Sequence, residues 1–151
     1  MAMKVREIMS RDVKTVTPAT SVKDAAQMMI DSDIGALPVM DEGGDLAGMV
    51  TESDLIMQDV KVHFPTYFQL LDGFVYLGSI SKFESQLKKA VAARVSDVMT
   101  TDIVTVTAEA DVEDVATMMV ERDISRIPVL EDGKLAGIVT KHDIVRAISR
   151  G

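Results

Sequence analysis

The chain contains itself twice. Laying residues 9–43 over 99–133 and residues 45–56 over 134–145, with Gly44 skipped, gives roughly 21 identities in 47 paired positions, far above chance for unrelated segments. Met9 pairs with Met99, Thr15-Val16-Thr17 with Thr105-Val106-Thr107, Met28-Met29 with Met118-Met119, and Pro38-Val39 with Pro128-Val129. Each copy closes on one string, GMVTESD at residues 48–54 and GIVTKHD at 137–143. A duplication restricts the fold to two similar units, naturally related by a pseudo-twofold axis.

The local reading is the same in both copies. A short β-rich stretch (VKTVTP; IVTVTA) precedes a helix-start signal, Ser21-x-x-Asp24 in the first and Asp111-x-x-Asp114 in the second. Apolar residues follow at helical spacing: Val22, Ala25, Ala26 and Met29, then Val112, Val115, Ala116 and Met119. Two short apolar runs around a Gly-containing turn predict a hairpin in each copy, and a final helix is expected to begin at Thr51 or Thr140. The order per copy is β-α-β-β-α. A unit of about 50 residues rarely buries enough apolar surface to stand alone. The expectation is therefore an α/β protein whose tandem repeats pack face to face and share one core.

Residues 59–94 belong to neither copy. They hold every aromatic residue of the chain: Phe64, Tyr67, Phe68, Phe74, Tyr76 and Phe83. Ser81-x-x-Glu84 is a capping box, opening an amphipathic helix to about Arg94 with Phe83, Leu87 and Val91 on one stripe. A flexible linker is rich in Gly, Ser or Pro instead. The segment is expected to be a partly helical insert, either a cap over the two-repeat body or a surface for an oligomer or protein partner.

Charge and composition exclude several functions. A net charge of −8 argues against duplex DNA or RNA as partner. With no cysteine, and His63 and His142 far apart, neither disulfides nor a structural zinc site is expected. No apolar run approaches the ~20 residues needed to span a bilayer, and MAMKVREIMS lacks a signal-peptide core, so the expected address is the cytoplasm, without membrane insertion.

Two copies ending in Gly-h-h-Thr-x-x-Asp (h, apolar), each with an h-Pro-Val strand and opened by a Met and a Thr-Val-Thr strand, resemble the cystathionine β-synthase (CBS) domain pair, or Bateman module. The resemblance covers residues 5–58 as one repeat and 95–150 as the other, with 59–94 as the connecting segment. It implies a stand-alone regulatory module, not an enzyme, with no catalytic cofactor. Such modules bind an adenosine ligand (AMP, ADP, ATP or S-adenosylmethionine) in clefts between the repeats and report energy or metabolite state. A homodimer and a separate regulated enzyme or transporter are further implications.

The closing motif has two physical readings. A helix N-terminus presents unpaired N–H groups and partial positive charge, so phosphate binds there readily. The Thr hydroxyl can add a hydrogen bond, and a carboxylate can accept from both ribose hydroxyls. Equally, Thr-x-x-Asp is itself a capping box. If the motifs only cap helices, the chain is a structural or interaction module acting through residues 59–94. Gly48 and Gly137 are read as points where backbone and ligand approach closely.

By the resemblance, each cleft joins the first strand and h-Pro strand of one repeat to the Thr-x-x-Asp of the other. Cleft one would use Lys14, Ile34, Gly35 and Ala36 with Thr140, His142 and Asp143. Cleft two would use Val104, Ile124, Ser125 and Arg126 with Thr51, Ser53 and Asp54. Ile34 and Ile124 would sandwich adenine, and backbone near Val13 and Ile103 would read its edge. The clefts differ in charge: Lys141 and Lys14 serve the first, whereas Glu52 replaces Lys141 in the second and Arg126 replaces Ala36. Two usable but unequal clefts are expected. His142 lacks the nucleophile or second carboxylate that would make it a general base.

Overall fold

The two helices that lead each copy are near-replicas, ended by the same device. The computed structural model describes residues 3–56 and 93–150, so the expected helix from Ser81 and the aromatic cluster lie outside the described residues. Helix α1 (Val22–Ser32) buries Ala25 and Met29, while the matching helix, α4 (Val112–Arg122), buries Val115 and Met119. Val22, Ala26, Val112 and Ala116 are half-buried beside them. Both helices end with an aspartate in the left-handed region, Asp33 (φ 52°) and Asp123 (φ 53°). The next amide then returns to the helix, Ile34 N–H to Met29 O and Ile124 N–H to Met119 O, each at 3.0 Å. This Schellman-type closure satisfies late carbonyls and turns Ile34 and Ile124 into the following strand.

The helix starts differ from each other. Ser21 Oγ accepts from the Asp24 amide at 3.0 Å, a normal N-cap. Asp111 makes no such bond, contrary to the expectation for the second copy. Its carboxylate is taken by Lys4 Nζ at 2.8 Å, which also raises the Lys4 pKa, chiefly through that hydrogen bond.

The strands follow the expected order. In the first copy, β1 (Ala36–Met40) and β2 (Leu46–Thr51) form an antiparallel pair, and Val16 adds a parallel bridge to Val39. In the second, β3 (Val106–Thr107) runs parallel to β4 (Arg126–Glu131), which pairs antiparallel with β5 (Lys134–Thr140). The β4–β5 turn, Asp132-Gly133, has φ 51° and 79°; two positive φ values are what a two-residue type I′ hairpin requires. The skipped Gly44 (φ 83°) is the extra residue of the longer turn in the first copy. Thr51 and Thr140 prove to be the last strand residues, and helix follows at 52–56 (α2) and Lys141–Arg150 (α5). A short helix, α3 (Val95–Val98), leads into the second copy. No helix among the described residues is long and apolar enough to cross a membrane.

The two copies share their interior by exchanging arms rather than through one common core. Val5 and Met9, at the opening of the first copy, pack into the second copy's cluster with Val106, Val115, Met119, Ile127 and Val139. Val95, Val98 and Met99, at the opening of the second copy, complete the first copy's cluster of Val16, Ala25, Met29, Leu37, Val39 and Val50. Val5 and Val95 are fully buried. Each arm is also stitched to the foreign hairpin by backbone. Ser10 and Ile138 exchange two N–H···O bonds of 2.9 Å, and Thr100 and Met49 do the same at 2.8 and 2.9 Å.

These stitches assign the motif glycines. A Cβ on Gly137 would stand 2.5 Å from Ser10 O, and one on Gly48 2.6 Å from Thr100 O. The close approach is between two stretches of backbone, and the expectation that these glycines make room for ligand is corrected accordingly. Neither backbone can yield without loosening its hydrogen bonds. Gly48→Ala and Gly137→Ala are each expected to lower stability by about 1–3 kcal/mol, the usual cost of overpacking. Urea unfolding measures this, with Gly43→Ala in the exposed turn as a control expected to change it by under about 0.5 kcal/mol.

Candidate functional site

The hairpin registers carry the closing motifs to the middle of the molecule. Ala36 pairs with Thr51 and Arg126 with Thr140. One further bond extends each ladder, Glu52 N–H to Gly35 O and Lys141 N–H to Ser125 O, both at 3.0 Å. Each Thr-capped helix therefore starts beside the residues that leave the Schellman turn.

Both capping boxes are complete. The Thr51 amide donates to Asp54 Oδ2 at 2.9 Å and the Asp54 amide to Thr51 Oγ1 at 3.2 Å. In the second copy the matching distances are 2.8 and 3.2 Å, between Thr140 and Asp143. One carboxylate oxygen of each aspartate is thus committed to its own helix. The other is engaged differently: Asp54 Oδ1 accepts from the Thr100 hydroxyl at 3.1 Å, while Asp143 Oδ1 pairs with Arg146. Asp143 is 4% exposed and is the buried charged residue among those described.

A cavity of about 480 Å³ opens beside the second motif, within the range of about 300–1,000 Å³ typical of small-molecule sites. One wall comes from the first copy: Val13 and Lys14 of the arm, then Ile34, Gly35 and Ala36 after α1. The opposite wall is Thr140, Lys141 and His142 at the start of α5, where the helix dipole favours an anion, although the Thr140, Lys141 and Asp143 amides are already bonded within the protein. Six of the seven residues expected in cleft one therefore line a single cavity. The seventh, Asp143, is buried and does not line it.

The cleft-two residues are dispersed. Ser125 and Arg126 line this same cavity, reaching it from the far side of the pseudo-twofold. Val104 and Ile124 pack against the second copy's core, while Thr51, Ser53 and Asp54 lie outside the cavity. Sequence reasoning missed Ser10, Asp12, Ser32, Asp33 and Ile138 in the lining. Ser10 and Ile138 arrive through the arm exchange, for which the sequence has no signal. Asp33 was findable as an aspartate just past the last helical apolar residue, a helix-ending position.

The boxes predict a stability effect independent of any ligand. Thr140→Ala and Asp143→Ala are each expected to destabilise by about 1 kcal/mol through loss of the cap. Asp143→Ala is expected to reach about 2 kcal/mol, because a buried site is left with a void. Unchanged urea midpoints would show that these bonds contribute nothing.

The protein YlbB of Bacillus subtilis is 31% identical over 142 residues, covering 93% of this chain and 79% of that one. The crystal structure of Arabidopsis thaliana CBSX2 in complex with AMP superposes with a TM-score of 0.74 at 28% identity, over 97% of this chain and 96% of that one. The CBS domain pair of the protein MJ0100, in complex with 5′-methylthioadenosine and S-adenosyl-L-methionine, gives 0.70 at 27% identity, over 99% and 98%. The CBS domain model matches residues 5–61 and 95–150. With both copies matched, the chain belongs to the CBS domain family and carries a pair of such domains.

Proposed function

We propose that this protein is a regulatory module that binds an adenosine nucleotide between its two repeats and passes that state to a separate enzyme or transporter. The observation that carries the reading is the cavity itself. It joins apolar Ile34 and Ala36 on one wall to a helix N-terminus with Thr140, Lys141 and His142 on the other. An apolar floor suits a purine face, and the helix start with its flanking cations suits a phosphate. The AMP complex of CBSX2 and the S-adenosylmethionine complex of MJ0100 lend support, since both are pairs of similar fold. Asp143 contacts ribose only if its Oδ1 leaves Arg146, because Oδ2 remains in the cap.

The paired helices also favour a homodimer. Ile30 and Val120 occupy matching positions on α1 and α4, at 71% and 78% exposure, and Ile56 and Val145 match on α2 and α5. Apolar side chains repeated on both sides of a pseudo-twofold suit an isologous contact with a second copy. The double variant Ile30→Glu/Val120→Glu is expected to be monomeric by light scattering where the parent is dimeric.

Isothermal titration calorimetry with AMP, ADP, ATP and S-adenosylmethionine tests the binding reading. At least one ligand is expected to bind with a dissociation constant of about a micromolar. Lys14→Ala and His142→Ala are each expected to weaken it about tenfold through loss of a phosphate contact. Silence from all four, in folded protein freed of carried-over nucleotide, would leave two capped helices and favour an interaction module working through residues 59–94.

A further inference from the structure

The duplication is broken at its centre. Where the first copy has Gly35-Ala36, the second has Ser125-Arg126, and these two dipeptides face each other across the pseudo-twofold in one cavity. The Arg126 guanidinium lies over Gly35, in the space that a Cβ there would fill, and the Glu52 carboxylate approaches the same point at 2.8 Å. Glycine is thus what lets the arginine of one copy reach into the cleft walled by the other.

Asp12 and Asp33 share the lining of this cavity, but among the described residues no ion pair joins its cations to a carboxylate. The ion pairs among the described residues use Lys4, Arg6, Arg11, Lys134 and Arg146. Lys14, Arg126 and Lys141 take part in none of them, although the chain as a whole carries a charge of −8. Three basic side chains from three separate elements therefore line one cavity of an acidic protein, against two aspartates, Asp12 and Asp33. Lys14 and Lys141 flank the helix start, where a first phosphate would sit. Arg126 enters from β4, its guanidinium over Gly35, with a planar fork suited to bidentate phosphate recognition.

Building on the nucleotide-binding reading, we propose that Arg126 is the residue that sets phosphate number at this cavity, making it selective for adenosine di- and triphosphates over AMP and over the cationic S-adenosylmethionine. Lys14, Lys141 and the α5 N-terminus hold the first phosphate, and Arg126 reaches the next ones. Glu52 opposes this by competing for the same guanidinium. The opposite cleft has no counterpart of Arg126, because its matching residue is Ala36. The clefts are unequal for that reason, and the polyphosphate preference belongs to one of them.

The test is calorimetry on the full chain in magnesium-free buffer at fixed salt, with AMP, ADP, ATP and S-adenosylmethionine as probes. ATP is expected to bind about tenfold or more tightly than AMP, the size of one added charge-assisted contact, and Arg126→Met to abolish that difference while changing AMP affinity by less than about twofold. Met keeps the length of the stem and removes the cation. Gly35→Ala, which displaces the guanidinium without touching its charge, should reproduce the loss, and Glu52→Gln should tighten ATP. Unfolding midpoints of each variant establish that the protein remains folded. AMP or S-adenosylmethionine binding as tightly as ATP would overturn the assignment of Arg126 while leaving the nucleotide-binding reading intact, as would an Arg126→Met variant that weakens every ligand equally. Silence from all four ligands would overturn both.

Discussion

Four backbone hydrogen bonds, two between Ser10 and Ile138 and two between Thr100 and Met49, hold the two copies in register. They require that nothing project from Gly137 and Gly48, since any side chain would meet a carbonyl oxygen. With the stitches in place, Val5 and Met9 close one interior and Val95 and Met99 the other. Neither copy is then a self-sufficient unit, in keeping with the small size of each. The cavity depends on the same exchange, because Val13 and Lys14 follow directly from the stitched Ser10.

The Thr-x-x-Asp motif meets a local and a long-range demand at once. Its cap is complete in both copies, so helix stability alone accounts for the pattern. Placement is what adds the second meaning. The hairpin register sets Thr140 opposite Arg126, just past the end of α4, and the start of α5 lines a cavity whose other wall is Val13, Lys14 and Ile34 of the first repeat. A capping residue and a ligand contact are compatible because the cap consumes one carboxylate oxygen and leaves its twin to Arg146, Thr100 or a bound molecule.

Much of this was legible in the residues. The duplication foretold the pseudo-symmetry, Thr105-Val106-Thr107 marked a leading strand where Thr15-Val16-Thr17 keeps only a bridge at Val16, and helical spacing picked out Ala25, Met29, Val115 and Met119 as core positions. Most of the first cleft was legible too, since Ile34 to Ala36 and Thr140 to His142 are adjacent in sequence to strong local signals. What remained hidden was long-range. Nothing local says that residues 3–10 pack on the copy that begins some ninety residues later, so the motif glycines were read as facing a ligand. Asp111 looked like a cap until Lys4, brought in by that same arm, claimed it. Arg126, expected with the second cleft, lines the same cavity as the first-cleft residues, because the absence of a side chain at Gly35 opens space for its guanidinium.

The crossed arms also dictate an order of assembly. Residue 10 cannot find its partner until residue 138 exists, and the first copy's interior stays open until Val95 and Met99 are available. On a chain emerging from the N-terminus, the first copy therefore waits with exposed apolar surface until residues 95–99, well beyond its own end, have been made. Pairing elements so distant along the chain closes long loops late, which slows folding relative to a protein built from local contacts. The arm at residues 3–10, made before either copy's hairpin, is among the last parts able to dock. The cavity between the repeats comes into being in that same closing step.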